Sequence, residues 1–132
     1  IAARSAKFGE TYTKVGLVPG AGGTWFLPRL VGPAKALEMF WTAEFLTAEQ
    51  AQEIGMVNRV VDDADLMDET NKMARKIARA PQQSVRMIKR AVLGGMRTDL
   101  RSHLDMISSH YAVITAGEDH KEAVRRFVES RK

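Results

Sequence analysis

The chain contains no cysteine, which excludes disulfides and thiolate metal sites and fits a reducing cytoplasm. No apolar run approaches the roughly 20 residues that span a bilayer, so a soluble protein is expected and no membrane partner is. An initiator Met is missing too: the chain opens on Ile-Ala-Ala-Arg-Ser-Ala-Lys-Phe, with neither a secretory n-region nor a helix cap. It reads as the later part of a longer polypeptide.

The chain has 132 residues, enough for one domain that buries roughly two-thirds of its unfolded surface. A formal charge of +4 would suit nucleic acid or a phosphorylated small molecule. The basic residues at 72, 75, 76, 79, 86, 89, 90 and 97 alternate with apolar positions at helical spacing, as on a solvated helix face. The denser tail of Arg125, Arg126, Arg131 and Lys132 is interrupted by Glu122 and Glu129. No aromatic stacking platform is interleaved with these charges, so nucleic acid is not expected as a partner.

The most informative stretch is Val15-Gly-Leu-Val-Pro-Gly-Ala-Gly-Gly-Thr24, an apolar segment that empties into a glycine turn and a helix start. Two readings stand. The helix-start amides, which lack internal partners, face an anion or a carbonyl oxygen, or the glycines only shape a connection. The glycines sit at 20, 22 and 23, but the last glycine slot of a dinucleotide fingerprint, position 25, is Trp, and no Gly-Lys-Ser/Thr follows.

Upstream, residues 1–16 alternate as a strand would, with Phe8, Glu10 and Tyr12 on one face. Thr24–Leu30 reads as a short helix bent at Pro28, and Gly32-Pro33 restarts one through Trp41. Thr47 with Gln50 forms a capping-box signature for a helix that Gly55 ends, and Val57–Val61 reads as a short buried strand. Beyond Asp62 the pattern is helical over about 63–79, 82–93, 98–116 and 118–130. Leu100, Leu104, Ile107, Tyr111 and Ile114 make an apolar stripe that needs cover, which supports an oligomerising region.

Catalytic residue types are sparse. His103, His110 and His120 lack the partners of a metal set, so no metal is expected. Glu10 and Tyr12 share a face of the segment that leads into the glycine turn, where a carboxyl and a phenol can transfer protons or orient water. An exposed Glu and a packed Tyr have the same signature.

Ala6-Lys-Phe-Gly9, the glycine-turn run, Leu27-Pro-Arg-Leu-Val-Gly32, Ala34-Lys-Ala-Leu-Glu-Met39, Leu46-Thr-Ala-Glu-Gln-Ala51, Gly55-Met-Val-Asn-Arg-Val-Val61 and Glu122–Lys132 together resemble, in order, the second half of the enoyl-CoA hydratase/isomerase or crotonase family. The resemblance covers essentially the whole chain. It implies an α/β fold: the C-terminal part of a crotonase-like ββα spiral in residues 1–61, then a helical trimerisation region in residues 62–132. It also implies acyl-CoA thioester substrates, with coenzyme A part of the substrate and no separate cofactor, and an enolate held by two backbone N–H groups. Those donors and one of two catalytic Glu residues lie, in the family, upstream of Ile1. The implied partners are the acyl-CoA, the missing N-terminal half of the same protein, and further copies in a homotrimer or dimer of trimers.

Position by position, the resemblance puts Tyr12 where hydratases carry their second catalytic Glu, and Gly20 where some isomerases and dehalogenases carry an Asp. Glu10 is the nearest replacement carboxylate, although two residues along a strand displace a side chain by about 6.5 Å. Pro19, Gly20 and Trp25 are expected to wall the substrate pocket, and Trp25 with Phe26 suits a bulky or cyclic acyl group; packing alone also explains these aromatics. Tyr111 matches an aromatic that covers coenzyme A, often across a subunit boundary. Arg131 and Lys132 flank Ser130, which takes the place of a basic residue on the CoA phosphate. The expected activity is of the hydratase/isomerase type with Tyr12 in place of the second Glu. The alternatives are a hydrolase or C–C lyase on a cyclic acyl-CoA, and a non-catalytic assembly or binding protein of the same fold.

Overall fold

The computed structural model describes residues 1–131. In order, its elements are β1 (Ala2–Ala3), β2 (Lys7–Phe8), a 3-10 turn (Tyr12–Val15), α1 (Gly23–Val31), α2 (Pro33–Thr42), β3 (Leu46–Thr47), α3 (Ala48–Glu53), β4 (Val60–Val61), a 3-10 turn (Asp63–Asp65), α4 (Leu66–Arg79), α5 (Gln82–Gly95), α6 (Leu100–Ala116) and α7 (Glu118–Glu129). Packing divides the chain into two units, Ile1–Asn71 and the residues from Lys72 on, so the division falls inside α4.

In the first unit β1 pairs parallel with β4, Ala2 opposite Val60, and β2 pairs antiparallel with β3, Phe8 opposite Leu46. The expected alternation through residue 16 is not sustained. Strand pairing stops at Phe8, and the backbone turns into i→i+3 bonds instead, from the Lys14 amide to the Thr11 carbonyl at 3.2 Å and from Gly16 to Thr13 at 3.1 Å. Glu10 and Tyr12 therefore do not share a strand face. The strand expected over Val57–Val61 is confined to Val60–Val61, which are half-buried.

Helix α1 runs through Pro28 to Val31, and Gly32 then joins it to α2. Gly32 adopts φ 84° and ψ 155°, a region essentially reserved for glycine, which explains a Gly-Pro joint where one helix ends and the next begins with Pro33 in its first turn. The α1–α2 pair carries the core: Leu27, Ala36, Met39 and Phe40 are buried, and Val31, Leu46, Ile54 and Met56 pack against them. Thr47 and Gln50 close the capping box of α3, the Thr47 hydroxyl accepting from the Gln50 amide at 3.3 Å and the Gln50 side chain accepting from the Thr47 amide at 2.9 Å. Arg4 ties β1 to both Glu49 (2.7 Å) and Asp62 (2.9 Å); exposed pairs of this kind contribute little to stability.

In the second unit α5 packs on α6 and α6 on α7. The Gln82 side-chain amide donates to the Ile77, Ala78 and Ala80 carbonyls, closing the turn that follows α4. The Asp99 carboxylate caps α6 by accepting from the Ser102 amide at 3.0 Å and the Ser102 hydroxyl at 2.7 Å. Of the apolar stripe on α6, Ile107 and Ile114 are half-buried, whereas Leu100, Leu104 and Tyr111 remain exposed. Among the described residues no helix is long and apolar enough to cross a membrane.

Candidate active site

Helix α1 starts from a turn with two successive left-handed residues, Ala21 at φ 49° and Gly22 at φ 87°. Glycine is the residue that adopts this geometry freely, and Gly22 is also where a Cβ would meet the Phe26 ring at 2.8 Å. No strand leads into the turn: Leu17 and Val18 carry no pairing and are exposed. The amides at the helix start are largely spent within the turn, since Gly23 donates to the Gly20 carbonyl at 3.0 Å, and Trp25 and Phe26 both donate to Gly22 at 2.9 Å. Those three N–H groups are therefore not presented to an anion, and the turn closes on its own carbonyls.

What the turn presents instead is a carboxylate. A Cβ built on Gly23 would stand 3.4 Å from Glu10 Oε1 and 3.1 Å from Pro19 Cβ. Glu10 thus reaches the head of α1 beside Pro19, because the chain leaves its strand after Phe8. A carboxylate at a helix N-terminus is favoured by the helix dipole. Gly20 shows open space, with nothing within 4 Å of a Cβ placed there.

Tyr12 opens the 3-10 turn, its carbonyl accepts from the Leu17 amide at 3.0 Å, and its residue exposure is 38 %. Two contacts hold the segment from Gly9 to Lys14 on the end of α2 and the residues after it. The Thr13 hydroxyl donates to the Phe40 carbonyl at 2.9 Å, and a Cβ on Gly9 would stand 2.7 Å from the Phe45 ring. The Lys14 ammonium lies 5.6 Å from the centroid of the same ring. Sequence pattern carried no signal for these contacts, since the partners are far apart in the chain and a threonine on an apparent strand is unremarkable.

Trp25 belongs to a different face. At 3.6 residues per turn it stands about 200° round α1 from Gly23, where the Arg29 guanidinium stacks on its ring at 3.9 Å and donates to its carbonyl at 2.8 Å. Its ring also meets Phe26 edge-on, with centroids 4.8 Å apart and an interplanar angle of 80°. Glu10 and Pro19 both reach Gly23, whose amide bonds the Gly20 carbonyl; Trp25 is held beside Arg29 instead.

The remaining candidates belong to the second unit. Tyr111 lines an apolar groove of about 190 Å³ between Met87, Ile88 and Ala91 of α5 and Ile107 and Ile114 of α6. Arg131 lays its guanidinium 4.4 Å over the Phe127 ring. Lys132 lies outside the described residues. His103 rests on Gly95, and the Nδ1 atoms of His103 and His110 are buried without a hydrogen-bond partner among the described residues. Among those residues no group of three or more His, Asp or Glu is arranged to hold a metal.

Comparison with known proteins gives a consistent outcome. The profile of the enoyl-CoA hydratase/isomerase family matches residues 1–132. The chain is 40 % identical to a crotonyl-CoA hydratase of Syntrophomonas wolfei over 100 % of its own length and 51 % of that relative. It is 39 % identical to a 1,2-epoxyphenylacetyl-CoA isomerase of Escherichia coli, covering 99 % of the chain and 50 % of that protein. A crystal structure of an enoyl-CoA hydratase from Bacillus anthracis superposes with a TM-score of 0.94 at 36 % identity, over 98 % of this chain and 50 % of that one. The chain spans about half the length of these relatives and shares the fold of the part it matches.

Proposed function

Because the chain belongs to the enoyl-CoA hydratase/isomerase family, we propose that it forms the downstream part of an enzyme that transfers protons on acyl-CoA thioesters, with Glu10 as the proton carrier and Tyr12 as a neighbouring O–H donor. What supports the reading is the Glu10 carboxylate against Pro19 and Gly23 at the head of α1. A thioester is acidic at its α-carbon once donors stabilise the enolate oxygen, a contribution worth about 10²–10³ in rate per donor. In this reading the half of the relatives' length that the chain does not match supplies those donors. One carboxylate is enough for a double-bond shift: it takes a proton from one carbon, the C–H pair becomes the new π bond through the enolate, and the same proton returns to the other carbon. Hydration needs a second group to orient water, the role left to the Tyr12 phenol.

The test is turnover by the full-length protein on a panel of linear enoyl-CoA and cyclic dienoyl-CoA esters. Glu10→Gln, which keeps shape and removes the base, is expected to lower kcat by about 10²–10⁴. Wild-type turnover that survives E10Q unchanged removes Glu10 from the chemistry. A protein that converts no ester yet still assembles favours a binding or assembly role.

Exposed Leu100, Leu104 and Tyr111 on α6 support a homotrimer or dimer of trimers, which sedimentation of the full-length protein reads directly.

A further inference from the structure

We propose that Thr13 is a positioning residue, whose hydroxyl holds the Glu10–Tyr12 segment in its working place by bonding the Phe40 carbonyl. The inference rests on the reading of Glu10 and Tyr12 as the proton-transfer pair. These two residues and Thr11 lie between two anchors. On one side the backbone of Gly9 lies so close to Phe45 that a Cβ would approach its Cδ1 to 2.7 Å and its Cε1 to 2.9 Å. On the other, the Thr13 hydroxyl donates to the Phe40 carbonyl at 2.9 Å across 27 residues of sequence.

The Phe40 carbonyl needs this donor. It lies in the last turn of α2, where carbonyls run out of intrahelical partners. The neighbouring carbonyls are served otherwise: Met39 accepts from the Ala43 amide at 3.1 Å, and Glu38 from the Thr42 hydroxyl at 2.9 Å. Ala43 then turns left-handed at φ 51°, and the Glu44 amide, which would have served Phe40 in a continuing helix, points to the Thr42 hydroxyl at 3.4 Å. Phe40 itself is 7 % exposed and part of the core, so its carbonyl is a rigid reference point. The 3-10 turn that begins at Tyr12 is thereby registered on the core by one hydroxyl. A segment of three residues pinned at both ends keeps its side chains within a small arc, and positioning errors of about 1 Å cost up to about a hundredfold in rate.

Thr13→Val keeps the branched shape and removes the donor, whereas Thr13→Ser keeps the donor. In the full-length protein T13V is expected to lower kcat about ten- to a hundredfold with KM within about twofold, and T13S to recover most of the loss. A separate readout follows Tyr12 itself through 3-fluorotyrosine incorporation, its ¹⁹F resonance assigned by disappearance in Y12F. That resonance is expected to shift or broaden in T13V and to return in T13S. If the wild-type protein converts no thioester, the functional reading fails, and the fluorine signal still decides whether Thr13 positions Tyr12. Unchanged turnover in an active T13V protein, an unchanged Tyr12 signal, or a T13S protein as impaired as T13V overturns the proposal.

Discussion

The Glu10 carboxylate lies against the backbone of Gly23, 3.4 Å from the point a Cβ would occupy. Gly23 is the first residue of α1, so the carboxylate stands at the positive end of that helix without any side chain between them. A one-carbon change at position 23 tests how closely the site depends on this approach.

Gly23→Ala adds a methyl between Pro19 and Glu10, at 3.1 Å from Pro19 Cβ. Alanine is the better helix former by about 1 kcal/mol, which offsets the crowding. Thermal unfolding is therefore expected to change little, while turnover falls about tenfold as Glu10 is displaced. A variant that loses stability and activity together shows that Gly23 serves packing rather than the carboxylate.

Two substitutions that add a carboxylate are expected to separate the reactions. Tyr12→Glu supplies a second carboxylate on the same segment as Glu10, and hydration of crotonyl-CoA by the full-length protein should rise. Gly20→Asp projects into open space, so it should fold as the wild type does and shift product ratios toward double-bond isomerisation. Product analysis by chromatography reads both. No gain of hydration in Y12E argues that position 12 does not face the thioester.

Acid sensitivity of the helical region is expected to involve Asp99. Its carboxyl is held below the ordinary carboxylate range, first by the Ser102 amide and then by the Ser102 hydroxyl. A depressed folded-state pKa means that the unfolded chain binds the proton first. The stabilisation is thus complete above the ordinary Asp value of about 3.9 and is lost as the pH falls through the lower folded value. Asp99→Asn, which keeps an acceptor at the cap and removes the titration, should flatten the loss of helicity below about pH 4. Circular dichroism against pH checks this; identical acid limbs in both proteins assign the transition elsewhere, Asp63 with its Ser5 bonds being the next group of the same kind.

Much of the helical outline was legible because its signals are local. The Thr47–Gln50 box, the Gly32-Pro33 joint and the spacing that outlines α4 to α7 each involve residues within a turn or two of one another. The first sixteen residues misled for the opposite reason. Alternation of side chains is the same whether or not a partner strand exists, and past Phe8 none does. Alternation predicts one shared strand face for Glu10 and Tyr12, whereas Glu10 reaches the head of α1 and Tyr12 opens a 3-10 turn.

Residue order alone therefore settled the family and the outline of the helices, since these depend on identity and near-neighbour spacing. Folding in space settled which groups meet. Glu10 with Gly23, Thr13 with Phe40 and Gly9 with Phe45 are joined across stretches of chain that leave no periodic trace. Such contacts arise from the packing of α1 and α2, where a carbonyl left over at a helix end and the bare backbone of a glycine decide where the carboxylate comes to rest.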